Sequence, residues 1–345
     1  MIGRNLPRPE PSAGTDAYIR AVADRLAHSP QTRKNYERCM SARFNRKAVV
    51  DYLPVKLDIE NVSRCNFRCT MCAVSGWPKG KRADDMILDH FKAIIDENYG
   101  LVEIKLNGLG EALMQGDDYF EMIRYARARK IWVRITTNAS LLGVRDNYLK
   151  LVDSGVNEID ISIDGHTKEI FESIRVGSNF RVVTDNCRLL NSVTSLTKMW
   201  TLVQRENSYH LFDHVELAYV LGFKHLVFSL SMHGWGDQSL SSRNKAAMST
   251  VTEEQAWLLV GMGRKLGVKV SFWDVAEKFS ARNPCPWPFE RYVATSDSRI
   301  TPCCMIGNPD KFEIKGGWDG AEYREFRQDH IDGNVPVVCK GCYRS

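Results

Sequence analysis

The sequence predicts an α/β fold: a partial (β/α)6 barrel with N-terminal helices ahead of it and a small C-terminal α+β domain behind it. Three observations predict this. Between residues 55 and 275, short β-rich runs alternate with amphipathic helical stretches, which requires a parallel arrangement of strands, open or closed. Six such units in about 220 residues fall short of the eight of a complete barrel. Beyond Asn283 the texture shifts to Pro, Cys, aromatic residues and shorter strands.

Residues 1–54 read as a helical extension. Thr15–Ala27 carries a capping Thr or Asp and apolar residues at helical spacing, Gln31–Lys47 continues the pattern, and Pro30 separates the two. In 55–275 the expected strands are Val55–Asn61, Leu101–Asn107, Trp132–Thr137, Glu158–Ile163, Thr197–Val203 and Lys224–Ser229, with Val268–Trp273 closing the region. Helices fall near Leu88–Glu97, Asp118–Arg129, Arg145–Ser154, Arg181–Ser192, Leu211–Leu221 and Thr252–Leu266, and Gly155 and Gly222 mark helix stops. The segment 276–345 is expected to hold strands Phe289–Thr295 and Arg299–Cys303 and the helix Gly320–His330. A unit of that size has little core of its own and often needs a metal to hold it.

Composition narrows the function. The 345 residues are 43% hydrophobic and 26% charged, with 47 basic and 42 acidic residues for a net charge of +5. That excess is small and scattered, which argues against nucleic-acid or membrane binding. No apolar run of about 20 residues exists, and the polar start Met1–Thr15 lacks a signal-peptide core. A cytoplasmic location is expected. Ten cysteines then need an explanation other than disulfides, because the cytosol keeps thiols reduced. They are grouped: Cys65, Cys69 and Cys72 together, then Cys285, Cys303, Cys304, Cys339 and Cys342, with Cys39 and Cys187 alone. Clustered cysteines in a reduced compartment read as metal or cluster ligands.

The first group lies in Asp58-Ile-Glu-Asn-Val-Ser-Arg-Cys65-Asn-Phe-Arg-Cys69-Thr-Met-Cys72, on the loop leaving the first strand. That is the end where parallel α/β folds place their chemistry. Thiolates hold iron in cubane clusters, normally four per cluster. Three are offered here, which leaves one iron open to chelation by the amine and carboxylate of a small molecule. A structural zinc ion would want a fourth ligand, and no further Cys or His is near in sequence. This C-x3-C-x2-C after a first strand resembles the signature of the radical S-adenosylmethionine superfamily. The resemblance implies a 4Fe–4S cluster that reduces bound S-adenosylmethionine, releasing methionine and a 5′-deoxyadenosyl radical that takes a hydrogen atom from the substrate. It also implies a flavodoxin- or ferredoxin-like electron donor.

Further motifs extend the resemblance. Met71 occupies the position where the family usually has an aromatic residue over the adenine, and a thioether also packs on a ring face. Gly108-Leu109-Gly110-Glu111 follows the second strand and resembles the Gly-Gly-Glu element that binds the methionyl amino group, giving that role to Gly110 and Glu111. Asn138 ends the third strand and Ser162 the fourth, and both are candidates to face the cofactor. Asp164-Gly165 reads equally as a turn. Ile174-Arg175-Val-Gly177 resembles a stretch in members with C-terminal auxiliary clusters, where Arg175 would reach the cofactor carboxylate.

In the second group, Cys285, Cys303, Cys339 and Cys342 supply four thiolates, enough to close an auxiliary 4Fe–4S cluster or to hold zinc. Their spacing resembles the twitch and SPASM domains of the superfamily, the one-cluster twitch form in particular. Cys304 is spare: an alternative ligand, an inert thiol or a hydrogen-atom donor, the last role also open to Cys187. His233 and Trp235, in a loop leaving the sixth strand, are candidate substrate neighbours, and Gly76–Arg82 a candidate cover. The resemblance implies a radical oxidoreductase removing two electrons from a small polar metabolite such as a sugar or cyclitol alcohol. The alternative is peptide modification by crosslinking or epimerisation.

Overall fold

Strand residues alternate between apolar and charged along most of the sheet, and that alternation decides what the two faces of the sheet meet. The computed structural model describes residues 6–344. Its strands are β1 (Lys56–Ile59), β2 (Arg68–Cys69), β3 (Glu103–Leu106), β4 (Trp132–Thr137), β5 (Glu158–Ser162), β6 (Arg175–Val176), β7 (Thr197–Leu202), β8 (His225–Ser229), β9 (Lys269–Trp273), β10 (Arg291–Ala294) and β11 (Ile300–Thr301). Nine of them form one sheet in the order β11-β10-β1-β3-β4-β5-β7-β8-β9. All neighbours in it are parallel except β10 and β11. The sheet therefore extends past the six expected units at both ends, with β9 on one side and β10, from the Cys-rich segment, pairing with β1 on the other. β2 and β6 make a separate antiparallel ribbon, with Cys69 opposite Arg175.

On the outer face Leu57, Ile59, Ile104, Leu106, Val133, Ile135, Ile159, Ile161, Met199, Leu226, Phe228 and Val270 are buried in one core. They pack under helices α3 (Leu88–Glu97), α4 (Asp117–Ala128), α5 (Asn147–Asp153), α7 (Phe180–Val193), α8 (Leu211–Val220) and α10 (Glu253–Leu266). The helix starts follow from local chemistry. Thr252 caps α10 by accepting from the Gln255 N–H at 3.1 Å, and Gly267, at φ 71°, ends that helix in the left-handed conformation that suits glycine. Two short helices were not expected from the sequence, α6 (Lys168–Ile174) and α9 (Gln238–Ala247). Each starts at a side-chain cap, Thr167 and Asp237 respectively.

The alternate strand residues face the barrel interior. Lys56, Glu103, Arg134, Glu158, Lys198 and Arg291 line a cavity of ≈ 690 Å³ there, together with Trp132, Trp200 and residues of the N-terminal segment. The helical hairpin α1 (Thr15–His28) and α2 (Pro30–Ala42) is fastened near this end of the sheet. Tyr18 meets Trp132 edge-on at 5.2 Å and its hydroxyl donates to Glu103 at 2.7 Å, while Arg25 donates to the carbonyls of Leu101 and Tyr99. The second expected helix ends at Ala42, five residues short of Lys47. Among the described residues no helix is long and apolar enough to cross a membrane.

The C-terminal segment is tied down by α11 (Ala321–Asp332). Its Arg327 is fully buried, donates to the carbonyls of Pro288, Trp318 and Ala48, and lies 4.3 Å from the Trp318 ring centre. An apolar replacement leaves the two buried carbonyls of Pro288 and Trp318 unpaired, each costing about 1–3 kcal/mol. Arg327→Met should therefore lower stability by roughly 2 kcal/mol or more, seen as a lower urea midpoint with an unchanged slope.

Candidate functional site

The segment leaving β1 carries the first cysteine group, with Cys65 ahead of β2, Cys69 in it and Cys72 just after it. It is held by close backbone approaches rather than by regular structure. A Cβ on Gly110 would lie 2.4 Å from the Val62 carbonyl oxygen and 2.5 Å from that of Arg64, so only glycine lets the strand-three exit pass there. The Glu111 N–H then donates to the Arg64 carbonyl at 2.9 Å. Arg64 grips Asp85 with two nitrogens, and Arg68 folds back onto the Cys65 carbonyl at 2.6 Å. Further on, Arg82 is buried between Glu60 at 2.5 Å and Asp297 at 2.7 Å. The segment after Cys72 is thereby stapled to the β1 exit and to the β10–β11 turn at once.

Three polar groups approach these sulfurs. The Phe67 N–H donates to Cys65 Sγ at 3.4 Å, Asn138 Nδ2 stands 3.9 Å from the same sulfur, and an Arg175 nitrogen stands 3.9 Å from Cys69 Sγ. As free thiols the three are pushed up, Cys65 and Cys72 to about 12: burial is the first cause, followed by Glu111 for Cys65 and by Cys69 for Cys72. Buried thiols that resist ionisation need a cation to release their protons, which is what bound iron supplies.

Met71, Gly110, Glu111, Asn138, Ser162 and Arg175 all border one cavity of ≈ 270 Å³ with the three cysteines. The structure thus brings together every position that the sequence assigned to the cofactor. It also shows what each does within the protein. The Glu111 carboxylate accepts from the Thr137 hydroxyl at 2.6 Å, the Asn138 N–H at 2.7 Å and the Leu113 N–H at 3.4 Å. Burial still leaves its carboxyl raised above the ordinary range. Arg175 pairs with Asp164 at 2.7 Å, and its Nε is buried without a partner. Asp164, fully buried, also accepts from the Leu202 N–H at 2.8 Å. Asp164 is thus an anchor as well as a turn residue, and the Asp-Gly pair at a strand end was its signal. Gly165 next to it leaves no room for a Cβ, which would meet Phe171 backbone at 2.3 Å.

The second group also converges. Cys285, Cys303, Cys339 and Cys342 border one cavity with Trp273, Trp287, Phe326, His330 and Tyr343. The Tyr343 hydroxyl accepts from the Cys285 N–H at 2.7 Å. His233 places Nε2 at 3.9 Å from Cys342 Sγ, so it neighbours this set, while Trp235 borders the first cavity. Burial raises all four thiols, Cys285 to about 12 and Cys342 to about 11. Cys304 turns the other way. Its thiol faces Asp58 inside the barrel, and burial together with that carboxylate raises it to about 12. Cys187 is fully buried in the outer core on α7. Among the described residues no three cysteine sulfurs lie within 4.8 Å of one another.

Cys65, Cys69, Cys72, Met71, Gly110, Glu111, Asn138, Ser162 and Arg175 lie within the match of the Radical SAM superfamily model, which spans residues 61–218. An AdoMet-dependent heme synthase of Methanosarcina barkeri is 30% identical over 319 residues, covering 82% of this chain and 89% of that protein. The chain belongs to the radical SAM superfamily. A GTP 3′,8-cyclase of Aliarcobacter butzleri is 33% identical over 137 residues, and there this chain spans only 38% of its own length and 39% of the relative's. In fold it resembles Streptococcus suis SuiB. The complex with the precursor peptide SuiA matches at TM-score 0.58 and 12% identity over 91% of this chain and 78% of that one. The complex with S-adenosylmethionine matches at 0.60 and 12%, over 86% and 69%. A radical SAM fold binds a 4Fe–4S cluster and S-adenosylmethionine.

The sequence reading offered Asp164 as a strand end or turn and Arg82 as part of a cover loop, without their ion pairs to Arg175 and Glu60, and it missed the ionic barrel interior. The signal for the last was present: Lys56 and Asp58 alternate with apolar residues in β1, as do Glu158 and Asp160 in β5. The Arg82 staple generates a prediction. Burial alone would raise Asp297, but hydrogen bonds and charge from Arg82, with Thr295 and Arg299, hold it down at about 2. A carboxyl depressed on folding stabilises fully above its unfolded value of about 3.9 and loses that contribution as pH falls through about 2. Asp297→Asn should flatten the stability profile between these pH values, measured by urea unfolding at each pH.

Proposed function

We propose that this enzyme removes two electrons from a small polar metabolite, a sugar or cyclitol alcohol, using two clusters held by the two cysteine groups. Cys65, Cys69 and Cys72 would hold the first and Cys285, Cys303, Cys339 and Cys342 the second. When bound, the first cluster with S-adenosylmethionine supplies a radical that abstracts hydrogen. The observation that carries the substrate class is the cavity inside the barrel, walled by ammonium, guanidinium and carboxylate groups instead of the branched aliphatics of a packed barrel. Such walls reject apolar ligands and reward polyhydroxylated or ionic ones, since each unmatched polar group would cost desolvation. Trp200 borders both this cavity and the cofactor cavity.

The chain's residues take simple roles in this reading. Arg175, fixed by Asp164, keeps positive charge beside Cys69 and offers its free Nε to an anionic group. Glu111 orders the Thr137–Asn138 turn and so places Asn138 against Cys65. Met71 lies buried at the cavity edge with its carbonyl held by Asn244 at 3.0 Å, while Ser162 gives a hydroxyl to the same cavity.

A second reading, peptide modification, has one observation in its favour. Cys304 keeps a protonated thiol beside Asp58 within the barrel, the kind of group that returns a hydrogen atom in an epimerisation. In an oxidation Cys304→Ala should leave turnover within about twofold; abolition of turnover by that change would favour epimerisation instead.

Anaerobic reconstitution with iron and sulfide should give about eight irons per chain, falling to about four in Cys72→Ala and also in Cys303→Ala. Under reductant the wild type and Cys303→Ala should release 5′-deoxyadenosine, and Cys72→Ala should not. Only the wild type should yield a product two mass units lighter from a polar-metabolite fraction. A colourless protein containing zinc and releasing no 5′-deoxyadenosine would refute the proposal.

A further inference from the structure

His166, His210 and Asp213 stand apart from both cysteine groups. His166 sits in the turn between β5 and α6, two residues beyond Asp164. His210 closes the short 3₁₀ turn Ser208–His210 after β7, and Asp213 lies in the first turn of α8. One ligand atom from each lies within 4.8 Å of the others. His210 Nδ1 is 2.9 Å and His166 Nε2 3.6 Å from the same oxygen, Asp213 Oδ2. The first distance suits a hydrogen bond and the second is too long for one. Two donors on one tetrahedral zinc ion, each about 2.0–2.1 Å from it, stand about 3.4 Å apart. The observed pair brackets that value.

His166 is the informative residue. Its Nδ1 is buried with no partner and its Nε2 makes no hydrogen bond among the described residues. The two imidazoles lie close, with ring centres 4.6 Å apart and planes tilted by 32°, which repels if both carry protons and suits two neutral ligands. The support behind them is already built. His214 Nδ1 holds the His210 carbonyl at 2.7 Å and its ring meets His166 edge-on at 5.7 Å. His210 and Asp213 are each nearly half exposed, so an ion and a completing water can enter from solvent.

We propose that His166, His210 and Asp213 form a mononuclear site for a divalent transition ion, with zinc the best match to two imidazoles and one carboxylate. β5 and β7 are neighbours in the sheet, and the ion joins the loop leaving one to the helix following the other. Between those points lies Asp164, which holds Arg175 beside Cys69. The site is therefore a clamp on the outer side of the cofactor cavity. It is independent of the substrate and of the cysteine ligand assignment.

The test uses the enzyme with both clusters reconstituted, dialysed against micromolar zinc and analysed for both metals. One zinc per chain is expected in addition to an unchanged iron content. His166→Ala and Asp213→Asn should each weaken zinc binding by at least about tenfold, with iron content and far-ultraviolet circular dichroism unaltered. X-ray absorption at the zinc edge should show nitrogen and oxygen neighbours near 2.0–2.1 Å and no sulfur near 2.3 Å. Sulfur neighbours, or equal zinc affinity in the His166→Ala/His210→Ala/Asp213→Asn variant, would overturn the proposal. Should a variant lose iron or unfold, the zinc-edge spectrum of the wild type decides alone.

Discussion

Charge pairing inside the barrel is the constraint on which the rest of the molecule depends. Four cations, Lys56, Arg134, Lys198 and Arg291, face four anions, Asp58, Glu103, Glu158 and Asp160, on adjacent strands. Arg134 alone reaches Glu158 at 3.1 Å, Asp160 at 3.4 Å and Glu103 at 3.6 Å. Taking these groups from water costs several kcal/mol per ion unless each finds its opposite. The parallel register supplies the opposites. Arg134 lies level with Glu158, and Lys56 with Glu103. A slip of one residue would turn the charges toward the helices and the aliphatic residues toward the cavity. The ionic interior thus fixes the register that the outer hydrophobic core also demands. Glu103 shows the balance: burial acts to raise it, yet Lys56, Arg134 and Arg291 together hold it well below the usual carboxylate range.

A barrel whose strands are locked in this way can carry irregular loops at its carboxyl ends. The loop holding Cys65, Cys69 and Cys72 has almost no regular structure, and it is fixed by pairs that each join distant parts of the chain. Arg82 links β1 to the β10–β11 turn, Arg175 links the β2–β6 ribbon to the β5 exit, and Asn244 links the Met71 carbonyl to the His233 carbonyl. Because buried charges are left unpaired when one partner is removed, such links fail expensively. That cost is the physical source of a pre-set cavity, since the sulfurs are placed by the protein's own pairs.

The sequence was legible where its signals were local. Trp132–Thr137 could be bounded to the residue because alternation and a following Asn set both ends, and the two cysteine groups stood out by spacing alone. α6 and α9 were missed because each is short, and α9 carries so few apolar residues that no periodicity marks it. The convergence of Cys285 and Cys303 with Cys339 and Cys342 follows from β10 crossing to pair with β1, a long-range event with no local trace. Gly110 carries a second constraint with no local trace: it was read for its closeness to a ligand, and it is also needed for closeness to the Val62 and Arg64 carbonyls. Glu111 likewise reads as a ligand contact in sequence and acts in the fold as the acceptor that orders the next strand's turn.

The two cysteine groups are far apart in sequence, yet the cavities they border approach each other at a pair of indoles. Trp200 faces the cofactor cavity, Trp273 faces the second cysteine group, and the rings meet edge-on with centres 6.0 Å apart. Both indoles also wall the ionic cavity. A polar molecule lying there would have an aromatic boundary toward each cysteine group and charged walls on its remaining sides. Indoles exclude water and stay rigid, with only two side-chain torsions, so they shield a reactive site without obstructing its polar contacts. The two indoles thus stand where three cavities meet, so one aromatic pair sets the boundary of the ionic interior toward both cysteine groups.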